Sequence, residues 1–300
     1  MVKSKKKVSK KIKSDKKKEL KNTILQKKEK KKKHHVKHIK KNSHKTSHHK
    51  SLRHRVKHHQ KKEIKIIYKK ERDIRIKTGI KYFDDLIEGG LKKDSTNMIV
   101  GGSGSGKSIF ATQFLIEGMK RGENCLYVTF EENKKQFFSN MLKFGWNLAE
   151  YEKKGLFSFL EYTPIKVKNM LEEGGGAIEN LVISKKVSRI VIDSISSFAL
   201  LFEDELERRE AALSLFNMIR RWNCTSILTL EEEPGNDDET ESPKSLEFES
   251  DSIILLYFIK EKNKRQRYLE ILKMRGTKHS KQTYKFNIEK SGIMIEKGSS

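Results

Sequence analysis

The sequence predicts an α/β fold with a mainly parallel, twisted sheet flanked by helices, behind a disordered N-terminal tail. From about residue 64, short apolar runs alternate with helical stretches, and this alternation indicates βαβ units. The last apolar runs follow one another without a helix between them, which indicates an antiparallel extension at one edge of the sheet. A strongly uneven charge distribution predicts the tail.

The first 62 residues differ in composition from the rest of the chain. They hold 27 of the 66 Lys and Arg residues, only three acidic residues and nine of the ten histidines, whereas residues 63–300 hold 39 basic and 37 acidic residues. Their apolar residues are too sparse to offset the entropy lost on ordering. We therefore expect residues 1–62 to be a disordered basic tail and residues 63–300 to form one domain.

Each element of this domain is predicted from a short periodic pattern bounded by turn residues. The predicted strands are Thr96–Val100, Cys125–Phe130, Leu156–Leu160, Arg189–Asp193, Thr225–Leu230, Asp251–Ile259, Tyr268–Met274, Thr283–Ile288 and Ile293–Glu296. The predicted helices are Ser108–Arg121, Asn133–Phe144, a region over Ile165–Lys186 loosened by three glycines, and Glu205–Trp222. The acidic segment 231–247 contains two prolines and is expected to form a long surface loop.

Composition also excludes several classes of protein. Of the two cysteines, Cys125 begins a predicted central strand and Cys224 directly precedes another, so we expect buried side chains rather than a disulfide or a metal site. No apolar run is long enough to span a membrane, and no apolar block follows the N-terminal lysines. These features predict a soluble, cytosolic protein without a membrane span or signal peptide.

The strongest functional signal is the segment Gly101–Ser108, GGSGSGKS, which fits the pattern G-x-x-x-x-G-K-[ST]. It lies between a predicted strand and a predicted helix, so its backbone N–H groups are expected to hold the phosphates of ATP. Lys107 would reach the β- and γ-phosphates, and the Ser108 hydroxyl would bind Mg²⁺. The nucleotide contacts predicted in this region are Gly104, Ser105, Gly106, Lys107, Ser108 and Ile109.

Carboxylates end two further predicted strands at the same edge of the sheet. Asp193 ends an apolar strand, as a carboxylate on the Mg²⁺ side of a nucleotide does. Glu131 and Glu132 follow another strand at the carboxyl edge, where ligands bind in open α/β folds. Either glutamate is a candidate for orienting and polarising the attacking water, and the sequence leaves open which one does so.

Several further motifs occur in a fixed order along the chain. Besides the phosphate-binding segment, they are Thr78-Gly79-Ile80, Phe83-Asp84-Asp85-Leu86, Gly89-Gly90-Leu91, Thr129-Phe130-Glu131-Glu132, Phe144-Gly145-Trp146, Ile192-Asp193-Ser194 and the segment Leu272–His279. Together these motifs resemble those of a KaiC-type domain. The resemblance covers about residues 72–297, which is essentially the whole predicted domain and none of the tail.

The resemblance implies a RecA-like P-loop fold, ATP bound between the subunits of a homo-oligomeric ring of usually six copies, and slow hydrolysis. It implies that the pair matching Glu131 and Glu132 is catalytic. It also implies that the lysine and arginine matching Lys273 and Arg275 reach the phosphates of a neighbouring subunit's nucleotide. Met274, Thr277 and His279 match other nucleotide contacts of the family. The autophosphorylated Ser-Thr pair of two-domain members aligns with Glu247 and Phe248, so clock-type autokinase activity is not expected.

The tail points to a second kind of partner. Its lysine runs lack aromatic residues that stack on bases, so they favour any polyanion, including DNA, RNA, polyphosphate or an anionic surface. A solubilising tail without a dedicated partner is the alternative interpretation. The interleaved histidines have no fixed zinc-finger spacing, so only weak metal binding is expected of them.

Three hypotheses follow for the whole chain. The first is a ring-forming ATPase that acts as a regulatory switch. The second is an ATP-dependent, DNA-associated relative of the RecA-like recombination mediators, whose tails bind nucleic acid. The third is a nucleotide-sensing scaffold without meaningful hydrolysis, and the presence of Glu131, Glu132, Asp193, Lys273 and Arg275 argues against it.

Overall fold

The chain was analysed as a computed structural model that describes residues 74–163, 165–166, 169, 176–232 and 249–296. Its strands are β1 (Arg75–Ile76), β2 (Leu91–Lys92), β3 (Thr96–Gly101), β4 (Cys125–Thr129), β5 (Phe157–Glu161), β6 (Arg189–Asp193), β7 (Thr225–Glu231), β8 (Ser252–Glu261), β9 (Lys264–Met274), β10 (Tyr284–Glu289) and β11 (Gly292–Ile295). Its α-helices are α1 (Lys107–Lys120), α2 (Lys134–Leu142), α3 (Leu148–Lys153), α4 (Gly176–Lys185), α5 (Ser196–Ala199) and α6 (Glu205–Arg221), and Asp84–Ile87 form a 3₁₀ helix.

In the part of the chain that the structure describes, nine strands form one mixed sheet in the order β11-β10-β9-β8-β3-β7-β6-β4-β5. The strands from β8 to β5 in this order pair in parallel with their neighbours, and β9, β10 and β11 extend the sheet by antiparallel pairing. The carboxyl ends of β3, β4, β6 and β7 therefore meet at one edge. This is the α/β fold with an antiparallel extension that the sequence predicts.

The strand β8 corrects one detail of that prediction. The sequence assigns Asp251–Ile259 to the antiparallel extension because no helix separates it from the strands that follow. In the structure β8 pairs in parallel with β3, with Asn97 opposite Ser252 and Gly101 opposite Leu256. The antiparallel part begins at β9, because a short hairpin joins β8 to β9.

Helices cover both faces of the sheet, as a parallel sheet requires. One hydrophobic cluster packs α1 and α2 against the sheet through residues such as Phe110, Phe114 and Phe137. The second cluster packs α4, α5 and α6 against the opposite face, with Phe198 and Phe216 fully buried. Cys125 and Cys224 are buried, one in each cluster, as the sequence predicts.

The predicted element bounds agree closely with the structure where a periodic run is bounded by turn residues. The helix predicted over Asn133–Phe144 ends at Leu142, and Gly145 with a φ of 74° follows it in a conformation that only glycine adopts readily. The predicted helical region Ile165–Lys186 contains α4, which begins at the last of the three glycines.

Several sequence predictions lie outside the described residues. They include the disordered tail over residues 1–62 and its boundary with the domain. The acidic loop predicted over 231–247 is described only at Glu231, which ends β7, and at Glu232. The positions Glu247 and Phe248, aligned with the autophosphorylated pair, also lie outside the described residues.

Candidate functional site

The phosphate-binding segment connects β3 to α1 at the carboxyl edge of the sheet. Gly104 and Gly106 have φ values of 76° and 107°, which let the backbone curl without steric strain. Gly106 is the N-cap of α1 and provides no side-chain cap, so the first N–H groups of this helix are available to an anion. The buried Lys107 lies across the loop, where its Nζ donates to the carbonyl oxygens of Gly101 and Gly102 at 2.8 and 2.9 Å.

The strand-end aspartate is held from both sides by hydroxyl groups. Asp193 ends β6 and is 9% exposed. Tyr127 on β4 donates to its Oδ2, and Thr229 on β7 donates to its Oδ1. Burial raises the pKa of Tyr127 well above its ordinary value, and the charge of Asp193 raises it further, so the Tyr127 hydroxyl remains a donor at neutral pH.

The backbone of both glutamates after β4 is held by the same threonine, but their side chains have different surroundings. The Thr129 Oγ1 accepts from the backbone N–H groups of Glu131 and Glu132 at 3.2 and 3.0 Å. The Glu131 Oε1 accepts a hydrogen bond of 3.2 Å from Ser194 and a second one from Ser197. The two serine hydroxyls therefore fix the orientation of the Glu131 carboxylate.

Glu132 lies deeper and interacts electrostatically with Asp193. Within the described residues its carboxylate accepts no hydrogen bond from a side chain. Burial raises the pKa of Glu132, and repulsion by Asp193 and Glu131 raises it further. This is the electrostatic arrangement that a cation bound beside Asp193 would relieve.

We expect Glu132→Gln to stabilise the protein in the absence of nucleotide and metal. Because the folded-state pKa lies above the ordinary value of 4.5, ionisation of Glu132 costs stability as pH rises through this window. The Tm of the variant should exceed that of the wild type by about 1–2 °C at pH 7, since partial exposure weakens the effect. Scanning calorimetry should show the difference vanishing below about pH 4, where Glu132 is protonated in both states. A variant with a lower Tm at pH 7 would contradict this account.

These groups surround one cavity of about 340 Å³. Of the residues that the sequence singles out, Gly104, Gly106, Lys107, Ser108, Ile109, Glu131, Glu132 and Asp193 line it. The cavity is also lined by six residues that were not predicted as site residues: Ser103, Thr129, Ser194, Glu231, Arg267 and Ile288. Ser105 is fully buried beneath the loop and is not among the lining residues.

Arg267 is the most informative of the residues that sequence reasoning missed. It lies opposite Phe258 in the β8–β9 pair, with its guanidinium group 4.2 Å from the centre of the Phe258 ring. Its Nε donates to the carbonyl oxygen of Gly104 at 3.1 Å, and burial lowers its pKa. The positive charge is therefore fixed beside the phosphate-binding loop. In sequence, Arg267 belongs to a polar hairpin, and only the register of β9 brings it to the cavity.

The residues from Lys273 to His279 that match nucleotide contacts of the family lie elsewhere. Met274 pairs with Ser252 at the start of β8, whereas Gly101 of the phosphate-binding segment pairs with Leu256. Ser252 and Leu256 are four residues apart on β8, which corresponds to about 13 Å at about 3.3 Å per residue. Met274 is therefore displaced by about this distance along the strand from the phosphate-binding segment. This segment lies at the opposite edge of the sheet, at and after the end of β9. The described cavity is therefore not lined by Lys273, Met274, Arg275, Thr277 or His279.

Local contacts hold this opposite-edge segment in place. The Arg275 N–H donates to the Asp251 carbonyl oxygen at 2.8 Å, and its guanidinium group lies 4.0 Å from the Asp251 carboxylate. The Arg75 guanidinium group donates to Thr277 Oγ1 at 2.8 Å and to Glu88 Oε2 at 3.0 Å. The segment is thus ordered although it lies far from the cavity of its own subunit.

The donor atoms in the cavity suit a hard cation that keeps other oxygen ligands. The candidates are the Ser108 hydroxyl and the Asp193 carboxylate, with the Glu132 carboxylate in the same cavity. Such oxygen donors fit Mg²⁺, which commonly takes one or two protein carboxylates together with phosphate oxygens and water. Among the described residues, no group of three or more His, Cys, Asp or Glu side chains forms a complete metal site.

Among the helices that the structure describes, none has the length and apolar character that a membrane span requires.

Comparison with known proteins identifies related sequences. The family described as "ATPase: KaiC" matches residues 76–300. The circadian clock protein KaiC3 of Synechocystis sp. is 37% identical over 231 residues, which is 74% of this chain and 45% of KaiC3. The UPF0273 protein PH0284 of Pyrococcus horikoshii is 31% identical over 234 residues, which is 74% of this chain and 93% of that protein. The chain thus spans less than half of KaiC3 but nearly the whole of PH0284.

A solved structure gives the same result at the level of the fold. The crystal structure of the KaiC-like protein PH0186 from Pyrococcus horikoshii matches with a TM-score of 0.66 and 35% sequence identity. The match covers 75% of this chain and 99% of that one. The RecA-like P-loop fold expected from the sequence motifs is confirmed by this likeness and by the sheet order.

Proposed function

Because this chain belongs to the KaiC ATPase family, we propose that it binds ATP with Mg²⁺ in the described cavity and hydrolyses it. The observation that carries the proposal is the meeting of four features around one cavity. They are the glycine-rich loop with Lys107 and Ser108, the strand-end Asp193, the glutamate pair and the cationic Arg267. This set contains a phosphate-binding site, a place for the metal and a base.

Phosphate binding is assigned to the loop and two cations. The N–H groups at the start of α1 would donate to phosphate oxygens at the helix N-terminus. Lys107 would exchange its hydrogen bonds with the loop carbonyl oxygens for phosphate oxygens, and Arg267 would approach from β9. Together they supply positive charge where phosphate oxygens gain negative charge during transfer.

The metal side is assigned to Ser108, Asp193 and Glu132. Bound Mg²⁺ would neutralise charge on the β- and γ-phosphate oxygens. Ser108 and Asp193 provide oxygen atoms for the metal and its water ligands, and Glu132 adds negative charge beside Asp193. The repulsion that raises the pKa of Glu132 is then replaced by attraction to the cation.

The base is assigned to Glu131. A base must hold its carboxylate in a fixed direction toward the water that it activates. Ser194 and Ser197 occupy Glu131 Oε1 and leave Oε2 as the acceptor for a proton of that water. The serines therefore act as positioning residues, and Glu132 acts through its charge on the metal side.

Assembly into a ring, six-membered as is usual in the family, is the next part of the proposal. Lys273 and Arg275 lie at the opposite edge of the sheet from the phosphate-binding loop of their own subunit. This arrangement supports a role at the nucleotide of a neighbouring copy, to which Met274, Thr277 and His279 would also contribute. Cations supplied in this way couple hydrolysis to assembly, which would let ATP turnover act as a regulatory switch.

The decisive experiment measures the MgATP hydrolysis rate per subunit over a wide range of protein concentration. We expect the rate to rise with concentration and to fall at least about tenfold in Arg275→Ala, since the phosphate loses a stabilising cation. Arg121→Ala is the matched control, because Arg121 is equally exposed (53% against 52%) and also forms an ion pair. Its rate should equal that of the wild type.

Two outcomes would change the proposal. A concentration-independent rate that survives Arg275→Ala would retain the ATPase and remove the contribution from a neighbouring subunit. A negligible rate despite tight ATP binding would leave a nucleotide-sensing scaffold. Analytical ultracentrifugation with and without ATP measures the ring directly.

A second candidate function rests on the charge of residues 1–62. With 27 basic and three acidic residues, this segment suits a polyanion, and a ring would bring several copies together. The candidate is an ATP-dependent, DNA-associated protein in which the ring gathers these segments on nucleic acid. Salt-sensitive DNA binding that requires ATP would favour it. A cytosolic location belongs to both proposals.

A further inference from the structure

One buried side chain lies behind the aspartate assigned to the metal. Tyr127 lies in the middle of β4 and is completely buried. Its ring stacks on Phe159 at 5.6 Å with an interplanar angle of 11°, and its centre is 4.5 Å from that of Phe137. This packing fixes the ring, so the direction of its hydroxyl group is fixed as well.

The hydroxyl of Tyr127 reaches the strand-end aspartate from a neighbouring strand. It donates to Asp193 Oδ2 at the end of β6, and Thr229 donates to Asp193 Oδ1. Tyr127 lies on β4 and Thr229 on β7, the strands on either side of β6. Two hydroxyl groups from the neighbouring strands therefore hold the carboxylate that lines the cavity.

These hydrogen bonds decide what the carboxylate offers to a cation. Since Asp193 accepts from Tyr127 and Thr229, one donor at each oxygen, its carboxylate cannot rotate freely. Such partners behind the ligands commonly set metal affinity by fixing ligand orientation.

We propose that Tyr127 is a positioning residue for the nucleotide-bound Mg²⁺, because its hydroxyl, held by a packed ring, fixes the orientation of the Asp193 carboxylate. This inference rests on the proposed function, since it requires an Mg²⁺–ATP complex in the cavity. The competing explanation is a buried tyrosine whose hydrogen bonds serve only stability. The two differ in whether loss of the hydroxyl changes the dependence of nucleotide binding on Mg²⁺.

The test uses the full-length chain and Tyr127→Phe, which keeps the packed ring and removes only the hydroxyl. ATP binding is measured by isothermal titration calorimetry over a series of Mg²⁺ concentrations and in EDTA. We expect the Mg²⁺ concentration for half-maximal enhancement of ATP affinity to rise about tenfold. The affinity in EDTA should stay within about twofold of the wild type, because the Tyr127 hydroxyl donates to the metal-side carboxylate of Asp193.

Two further variants make the result decisive. Tyr257→Phe removes a tyrosine hydroxyl that donates to Glu270 at 3.0 Å, outside the cavity, and should leave the Mg²⁺ dependence unchanged. Thr229→Val removes the other donor to Asp193 and should raise the Mg²⁺ requirement in the same direction. It provides an independent test if Tyr127→Phe does not fold.

The outcomes separate this inference from the function on which it rests. If wild type binds ATP in an Mg²⁺-dependent way and both cavity variants keep the wild-type Mg²⁺ dependence, Tyr127 is not a positioning residue. If both variants lose affinity equally in Mg²⁺ and in EDTA, the hydroxyls serve only stability, and the inference is also wrong. If wild type itself binds no ATP, the proposed function fails and this inference fails with it.

Discussion

Glu131→Gln is expected to reduce the turnover rate by about 10²–10⁴-fold while changing ATP affinity by less than about twofold. Glutamine has the same shape, and its amide oxygen still accepts hydrogen bonds from Ser194 and Ser197. The variant therefore keeps the orientation of the side chain and removes only the group that accepts a proton. Steady-state hydrolysis measures the rate, and binding of ATP under single-turnover conditions measures the affinity.

Two comparisons separate this effect from a general loss of charge. Glu132→Gln should raise the Mg²⁺ requirement, because Glu132 lies on the metal side. Glu152→Gln removes a carboxylate that pairs with Lys134 at 2.7 Å outside the cavity, and it should leave the rate unchanged. A Glu131→Gln variant that turns over at the wild-type rate would show that the base is another group.

The different roles proposed for Glu131 and Glu132 follow from the folded structure, because the sequence presents the two residues as equivalent neighbours. Side chains of adjacent residues leave a strand end in different directions. The serine partners of Glu131 come from the segment after β6, more than sixty residues away, with sequence separations of 63 and 66. No local pattern contains this information.

The features that the sequence predicts well are those defined by neighbouring residues. A glycine-rich loop or a strand-end carboxylate is defined by a few consecutive residues, so Lys107, Ser108 and Asp193 were identified and meet in the cavity. The parallel strands were predicted because they are buried on both faces and read as continuous apolar runs. These signals needed no knowledge of which strands are neighbours.

The features that the sequence does not predict are short elements or positions that depend on how strands pair. β1 and β2 have two residues each, too few for a periodic pattern. The α3 helix has six residues and begins at an Asn147 cap, a signal that is common in loops as well. The place of Arg267 depends on the β8–β9 register, which contains an irregularity between Ile253 and Ile254. Register is a property of the folded sheet.

Arg189→Met is expected to have the largest effect on stability. Arg189 begins β6 and is 1% exposed. Its Nε and Nη2 donate to the two Glu123 oxygens at 2.7 and 2.8 Å, and its Nη1 donates to the carbonyl oxygens of Lys77 and Phe114. The guanidinium group also lies 4.7 Å from the centre of the Phe114 ring. One side chain thus joins β6 to α1 and to the segment before Thr78.

Removal of Arg189 should lower the free energy of unfolding by about 3 kcal/mol. This is the lower end of the usual cost of breaking a buried ion pair, because Glu123 keeps partial access to water. For a domain of this size the Tm should fall by about 10 °C. Arg121→Met is the control, since it breaks an exposed pair with Glu117 and should cost less than about 1 kcal/mol.

The pH dependence identifies the cause of this loss. Burial favours a raised pKa for Glu123, but the hydrogen bonds and charge of Arg189 outweigh it and lower the pKa below 4.5. The stabilisation is therefore present above pH 4.5 and is lost as pH falls through the lower, folded-state pKa. The difference between wild type and Arg189→Met should shrink over that range in denaturant unfolding.

A second substitution tests whether the unpaired carboxylate is responsible. Adding Glu123→Gln to Arg189→Met should restore part of the stability, because a neutral amide costs less to leave partly buried than a carboxylate. A double variant as unstable as Arg189→Met would assign the loss to the carbonyl oxygens of Lys77 and Phe114 instead. Since β6 ends in Asp193, either result also measures how firmly the strand that bears the metal-side carboxylate is held.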